Sequence, residues 1–257
     1  MTVRVLLIED HLSLIPGLRG DLEAEDGTTD DRLAVVDRVP TTAEDGIAFF
    51  EGVARHGVDA LRQIPVDAVM VDGFLPRDGA AAYTEFAAVE IAIRITAIYD
   101  RVAIPESERP RLIFTTAAPD PCDVRAFVAY GGSDVMPKSS IPADLVRRQV
   151  VEIVKGVRVW SPPVTRELRG YTPSFARYLR GIELGLSTTS DVAARINAAP
   201  SAVTRVKNEL RHVFDLPARA SDREIIEAAK EAGITWIPLA YEAVAQRYGV
   251  KPRLTPW

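Results

Sequence analysis

Short apolar segments, each followed by a charged or hydroxyl-bearing residue, are the feature that most constrains the fold of this chain. Three such segments, rich in Val, Ile and Leu, cover residues 3–8, 66–71 and 111–115, and a shorter one at 133–136 precedes Pro137 and Lys138. Apolar runs of this length are typical of strands that are buried on both faces of a parallel sheet. A further short run at 33–36 predicts one more strand. We therefore predict an α/β fold with a doubly wound five-stranded parallel sheet.

Helical patterns between these strands supply the crossovers that parallel pairing requires. We predict helices over 12–22, 45–63 and 141–157. The pattern over 79–100 favours an extended third helix, although the alternating apolar residues in 89–95 also fit a strand. The acidic run at 23–31 is typical of a solvated loop.

The residues that follow the strands bring a defined chemistry together. The carboxyl ends of parallel strands converge at one edge of the sheet, so Glu9, Asp10, Asp72, Thr116 and Lys138 are expected to share a pocket. Three carboxylates in one pocket repel one another unless a cation lies among them, and hard divalent Mg2+ prefers oxygen ligands. An Asp in such a pocket can attack a phosphoryl group, with the metal and a Lys offsetting the charge.

At these positions the chain resembles the receiver domain of two-component response regulators, which has a flavodoxin-like fold. The resemblance is carried by residues 3–10, 68–76, 112–116 and 134–138, and by the 22-residue interval from Thr116 to Lys138. It implies that Asp72 is the phosphoacceptor and that Thr116 and Lys138 contact the phosphoryl group. It also implies a Mg2+ site formed by Glu9, Asp10, Asp72 and the backbone carbonyl of Phe74.

A second domain is predicted after Pro162 and Pro163, because consecutive prolines cannot continue a helix. From Tyr171 onward the chain has helical patterns only, and residues 171–173, 191–196 and 201–214 resemble the LuxR-type helix-turn-helix that ends many response regulators. The predicted boundaries are 1–158 for the receiver, 159–170 for a linker, 171–233 for a small all-α helix-turn-helix domain and 234–257 for a C-terminal extension.

The segment 201–214 is the predicted recognition helix for double-stranded DNA. Its apolar residues recur at three- and four-residue steps and form one stripe, with polar residues on the opposite side. We expect Arg205 and Asn208 to contact base edges, because Arg pairs with guanine and Asn with adenine. Phosphate contacts are expected from Thr204, Lys207 and Arg211.

Composition sets the cellular context. With 257 residues the chain is long enough for two domains, and no apolar stretch reaches the 18 residues of a membrane-spanning helix. We find no secretory signal and expect a cytoplasmic protein without a membrane partner. The single cysteine, Cys122, excludes an internal disulfide, and we expect an inert thiol that is exposed or half-buried.

The combined expectation is a DNA-binding transcription regulator rather than an enzyme, phosphorylated on Asp72 by a sensor histidine kinase and acting as a homodimer. An alternative is an orphan regulator gated by a ligand or a partner protein. Val135 favours this alternative, because it stands where receivers carry an aromatic switch residue. A phosphatase that uses Asp72 as nucleophile would need an acid or base two residues later, where Phe74 stands.

Overall fold

The computed structural model of the protein describes residues 2–11, 15–23, 31–37, 39–73, 75–76, 83–84, 87–117, 120–138, 143–157, 159, 166–167, 173–182 and 188–253. By packing, the chain forms two compact units. Unit 1 contains residues 1–119, 127–161 and 244–255, and unit 2 contains 120–126, 162–243 and 256–257. None of the helices within the described ranges is both long and apolar enough to cross a membrane.

A five-stranded parallel sheet forms the centre of unit 1. Its strands are β1 (Thr2–Ile8), β2 (Arg32–Val35), β3 (Ala68–Asp72), β6 (Arg111–Thr116) and β7 (Asp134–Pro137). A two-residue antiparallel pair, β4 (Leu75–Pro76) and β5 (Tyr83–Thr84), lies outside this sheet. The spatial order is β2-β1-β3-β6-β7, with all neighbours parallel. This order is the doubly wound arrangement in which the chain reverses direction beside β1, so the predicted fold class is confirmed.

Helices connect these strands. They are α1 (Ile15–Glu23), α2 (Ala43–Ala54), α3 (Val58–Arg62), α4 (Ala87–Arg101), α5 (Pro121–Ala129) and α6 (Ala143–Val154), with a 3-10 turn at Glu106–Glu108. Leu7 packs in a cluster with side chains of α1 and α6, whereas Ile8 lies against α2 at Gly46. Because successive strand residues point to opposite faces, helices cover both faces of the sheet.

Two departures from the predicted helices have local causes. The predicted helix at 45–63 is two helices, because Gly57 adopts φ +99, a conformation that favours glycine and ends the helical path. Of the helix predicted over 79–100, only the part from Ala87 is helical, in α4 (Ala87–Arg101), and its apolar residues are buried on nearly all sides. The alternation over 89–95 therefore reflects a helix buried all round rather than a strand. The prediction was wrong at Tyr83–Thr84, which form β5, and the rest of 79–86 lies outside the described residues.

Unit 2 is predominantly helical and was predicted to be so. Its helices are α7 (Pro173–Ile182), α8 (Thr189–Arg195), α9 (Pro200–Val213), α10 (Asp222–Glu231) and the first half of α11 (Leu239–Tyr248). A two-residue parallel pair, β8 (Arg166–Glu167) with β9 (Ile234–Thr235), completes it. Ser221 and Glu224 form a capping box that starts α10.

The core of unit 2 includes a residue whose burial we predicted wrongly. Cys122, expected to be exposed or half-buried, is fully buried in the apolar cluster with Phe175, Leu179 and Val206. It lies in α5, a helix to which the sequence analysis gave no bounds. A small apolar thiol suits such a position, since free cysteines are among the most buried residues.

Candidate functional site

Three carboxylates meet at the carboxyl edge of the parallel sheet. Glu9 and Asp10 follow β1, and Asp72 ends the neighbouring strand β3. Possible ligand atoms of Glu9, Asp10, His11 and Asp72 all lie within 4.8 Å of one another. The site therefore lies where the strand order reverses, the usual position of ligand sites in open α/β sheets.

Burial strengthens the repulsion between the carboxylates of this cluster. Glu9 is 3% exposed and Asp72 is 4% exposed, so water screens their charges poorly. The Lys138 Nζ lies 2.7 Å from Glu9 Oε2 and 2.9 Å from Asp72 Oδ2. With all three acids ionised, one ammonium leaves a local excess of negative charge. The oxygen-rich donor set fits a hard divalent cation.

The ammonium of Lys138 is held in its charged form. Burial alone would lower its pKa, but the hydrogen bonds and the charges of Glu9 and Asp72 together raise the pKa of Lys138 above its ordinary value. Its backbone N–H donates to the carbonyl of Thr116 at 2.7 Å, which ties the residue after β7 to the end of β6. The Lys138 ammonium is thus positioned by the sheet backbone as well as by Glu9 and Asp72.

The hydroxyl-bearing end of β6 has two distinct threonines. The Thr115 hydroxyl donates to the Val71 carbonyl at 3.1 Å and so links β6 to β3. Thr116 is also buried and lies beside Gly73, where an added Cβ would come within 3.4 Å of the Thr116 Cβ and 2.7 Å of the Phe114 ring. The residue after Asp72 must therefore be small for the two strand ends to approach each other.

Helices α8 and α9 form a helix-turn-helix in unit 2. Thr188 caps α8 by accepting from the Asp191 N–H, and α9 begins with Pro200 at its first position. Val203, Val206 and Leu210 bury the apolar stripe of α9. The opposite face is left to solvent, as recognition by a helix inserted into a groove requires.

Comparison with known proteins rests on structure alone. No family model matches the chain, and no curated protein matches it in sequence. A structure of the RcsB response regulator from Salmonella typhimurium is 14% identical, with 89% of this chain and 99% of that chain covered and a TM-score of 0.51. A structure of two RcsB dimers bound to two parallel DNAs is 13% identical, with coverages of 90% and 98% and a TM-score of 0.51. The response regulator ChrA of a heme-sensing two-component system is 19% identical, with coverages of 90% and 98% and a TM-score of 0.38.

The chain has the fold of a response regulator. The five-stranded sheet of unit 1 has the receiver fold, and the helices of unit 2 include a helix-turn-helix, as the sequence resemblance implied. At these identities the likeness concerns fold and does not by itself transfer activity.

The receiver fold brings together most of the residues that the sequence selected for its site. Glu9, Asp10, Asp72 and Lys138 are within contact distance as described above, and Thr116 lies at the adjoining strand end. Phe74, the expected carbonyl ligand, lies outside the described residues.

His11, which was not selected from the sequence as a site residue, lies beside the acidic cluster. Its Nδ1 lies 2.9 Å from Asp10 Oδ1 and 3.3 Å from Glu9 Oε1, and its side chain is 53% exposed. Its place directly after the acidic pair was the available sequence signal.

The five predicted DNA-binding residues fall into two groups on α9. Thr204, Arg205 and Asn208 are exposed. Lys207 instead forms an ion pair with Asp222 at 2.6 Å, and the Arg211 guanidinium donates to the Ala220 carbonyl.

Ser201 lies on the same exposed face as the first group and was not selected from the sequence. The spacing 201, 204, 205 and 208 follows the helical repeat and would have identified it. Four polar side chains thus lie on one exposed face of α9, and Ser201, Thr204 and Arg205 are in its N-terminal part, where a recognition helix meets base edges.

Proposed function

We propose that the protein is a response regulator and DNA-binding transcription factor whose activity is controlled by phosphoryl transfer to Asp72. The observation that carries this proposal is the buried cluster of Glu9, Asp10 and Asp72 with the Lys138 ammonium bridging two of its carboxylates. A purely structural ion pair would need one acid for one base. The excess of buried acid is what a cation-dependent phosphoryl site requires.

In this proposal an Asp72 oxygen attacks phosphorus in the phosphohistidine of a sensor kinase. The phosphorus–nitrogen bond of the donor breaks as the new phosphorus–oxygen bond forms, giving an acyl phosphate. Lys138 already contacts Asp72 Oδ2 at 2.9 Å and is positioned to pair with an incoming phosphoryl oxygen. The Thr116 hydroxyl would donate to another of these oxygens and so report the modification.

Glu9, Asp10 and Asp72 would hold Mg2+, with the Phe74 carbonyl as the expected backbone ligand. When bound, Mg2+ supplies positive charge that offsets the oxygens of the transferring group. His11 would border this ion through its contact with Asp10.

DNA binding is proposed through the exposed face of α9. Phosphorylation would bias a two-state equilibrium toward a homodimer, and two copies of α9 would then read half-sites about one helical turn apart. The RcsB structure with dimers on DNA supports this arrangement as a precedent for the fold.

The test is intact mass after incubation with Mg2+ and acetyl phosphate. We expect wild type to gain one phosphoryl group, and Asp72→Asn to gain none because the amide is a poor nucleophile. Asp45→Asn, at a partly exposed acid in the first turn of α2, is the matched control and should be modified like wild type. Failure of wild type to react with either acetyl phosphate or a panel of phosphorylated kinases would contradict the phosphoryl-transfer proposal and favour the orphan regulator.

A further inference from the structure

A cavity at the amino-terminal edge of the sheet lies at the other end of β6 from the acidic cluster. Arg111 begins this strand and Thr116 ends it. The cavity has a volume of about 190 Å³ and lies wholly within unit 1. A smaller compartment of about 20 Å³ adjoins it, since both are lined by Glu106, Arg111, Ser133 and Arg253.

The two arginines of this cavity differ in their pairing. The Arg253 Nη1 lies 2.6 Å from Glu106 Oε2, and its backbone N–H donates to the Ala129 carbonyl at 2.7 Å. Among the described residues, the Arg111 guanidinium makes no ion pair and no hydrogen bond. Its Nη2 lies near Gly156, at 3.7 Å from where a Cβ on that residue would be. The cavity therefore contains one guanidinium whose charge is not compensated by a described acid.

The smaller compartment contains polar atoms without partners. Tyr99 lines it and is completely buried, and its hydroxyl has no hydrogen-bond partner among the described residues. Arg109 also lines it, and its Nη1 is likewise without a partner there, although its Nη2 pairs with Asp100 at 2.7 Å. A buried polar group left without a partner costs about 1–3 kcal/mol. A compartment of this size accepts one water molecule or one polar ligand atom.

The rest of the larger cavity wall is apolar. Val128, Ile153 and Val157 line it, and Val157 is half exposed at its mouth. The volume is below the range of drug-sized pockets, which begins at about 300 Å³. A ligand that fits is therefore small, with a short apolar body and one negative charge.

We propose that this cavity binds a small organic monocarboxylate. Its carboxylate pairs with Arg111, its body lies against Val128 and Ile153, and a second polar atom reaches the compartment at Tyr99. Arg has the planar geometry that suits bidentate carboxylate binding. The site is at the opposite edge of the sheet from Asp72, and none of its residues takes part in the proposed phosphoryl transfer.

The experiment is isothermal titration calorimetry of the full chain with benzoate, 4-hydroxybenzoate and inorganic phosphate as probes. We expect saturable binding of both carboxylates and tighter binding of the hydroxylated one. Arg111→Gln should weaken both by roughly ten- to hundredfold, since it removes a charged hydrogen-bond donor pair. Arg101→Gln, at an exposed residue that does not line the cavity, is the matched control and should bind like wild type.

Two further variants separate loss of the site from loss of the fold. Val157→Phe fills the cavity mouth while leaving Arg111 in place, and it should abolish binding without lowering the unfolding midpoint. Tyr99→Phe should reduce the advantage of 4-hydroxybenzoate over benzoate. The proposal is overturned if neither carboxylate binds at concentrations up to about 20 mM, a level that detects even millimolar affinity. It is also overturned if folded Arg111→Gln binds as well as wild type, or if phosphate binds as tightly as the carboxylates.

Discussion

At the scale of single residues, the buried acids at the carboxyl edge of the sheet depend on the ammonium of Lys138. Glu9 and Asp72 are almost wholly removed from water, and both contact the ammonium of Lys138. Removing one partner of a buried pair leaves an uncompensated charge, which costs more than the pair itself contributes. Lys138, the proposed phosphoryl contact, should therefore also contribute to the free energy of unfolding.

Lys138→Met tests that link. In Mg2+-free buffer the substitution should lower the free energy of unfolding by about 1–3 kcal/mol, below the usual cost for a fully buried pair because the lysine side chain is 25% exposed. Urea unfolding measures the change. Lys155→Met, which removes an exposed lysine paired with Asp31, is the control and should have a smaller effect. Equal losses in the two variants would show that the Lys138 pair is no more important than a surface pair.

Tyr99 predicts a loss of stability at alkaline pH. Burial raises its pKa to about 12 against the opposing charge of Arg109, so the folded protein retains this proton at pH values where the unfolded chain releases it. The stabilisation is complete below about pH 10 and is lost as the pH rises toward 12. Between pH 9 and about pH 11, the free energy of unfolding should fall by roughly 1 kcal/mol more in wild type than in Tyr99→Phe. Parallel pH profiles for the two proteins would contradict the raised pKa.

At the scale of elements, the polar side chains of α9 have two roles. Some are paired within unit 2, and others are exposed and available to contact DNA. Lys207 and Arg211 are held by Asp222 and by the Ala220 carbonyl, both next to the start of α10. Arg205 is 73% exposed, and its one ion pair with another described residue is a distant contact to Glu209 at 3.9 Å. Phosphate contacts by Lys207 and Arg211, which the sequence suggested, would first require these internal contacts to break.

Arg205→Ala is the corresponding prediction for DNA binding. On a duplex enriched by in vitro selection, we expect a loss of about 1–3 kcal/mol in binding free energy with no change in unfolding, because an exposed base-contacting side chain is removed. Fluorescence anisotropy measures the affinity. Arg223→Ala, at an exposed arginine of α10, should bind as wild type. A similar loss from both variants would indicate general charge attraction rather than a base contact.

Gly131, in the loop between α5 and β7, is a position where a side chain should destabilise the protein. It adopts φ +110, and an added Cβ would lie 2.2 Å from the Thr96 Oγ1, whose hydroxyl donates to the Tyr130 carbonyl. Gly131→Ala should therefore lower the free energy of unfolding by about 2 kcal/mol or more. Gly52→Ala, inside α2 with open space around it, should instead stabilise the protein by about 0.5–1 kcal/mol. Thermal denaturation of the two variants distinguishes these opposite signs.

At the scale of the whole molecule, the C-terminal extension belongs to unit 1 over residues 244–255. Ala245 and Val250 are buried, the Tyr248 ring lies 5.3 Å from the guanidinium of Arg94, and Arg253 hydrogen-bonds to Ala129. The last part of the chain therefore completes the packing of the receiver, although it follows the helix-turn-helix in sequence.

A chain ending at Ala243 should consequently have a less stable receiver. The loss of two buried apolar side chains and the Arg253 contacts predicts a decrease of about 2–4 kcal/mol in the free energy of unfolding. Chemical denaturation followed by circular dichroism measures it. Gln246→Ala, at an exposed position of α11, is the control and should change stability little. A truncated chain as stable as the full one would show that the extension only lies against unit 1 without stabilising it.

The sequence by itself determined the strands, their polar ends and the capped helices. Buried strands need apolar runs, and helix starts need capping groups, so Ala68–Asp72 and the box at Ser221 were recognisable from local residue types. The identity of the acidic cluster and of Lys138 followed from the same rule, because the ends of parallel strands converge. The domain boundaries, the DNA contacts and the phosphoryl chemistry stay predictions.

Only the tertiary structure decided which contacts distant segments make. The sequence did not predict the burial of Cys122, the internal pairing of Lys207 or the return of Val250 to unit 1. Each depends on contacts with residues far away in the sequence, and local residue patterns do not predict such contacts. A side chain's environment is set by the three-dimensional packing around it, so the same lysine is a DNA contact or a structural ion pair depending on its neighbours.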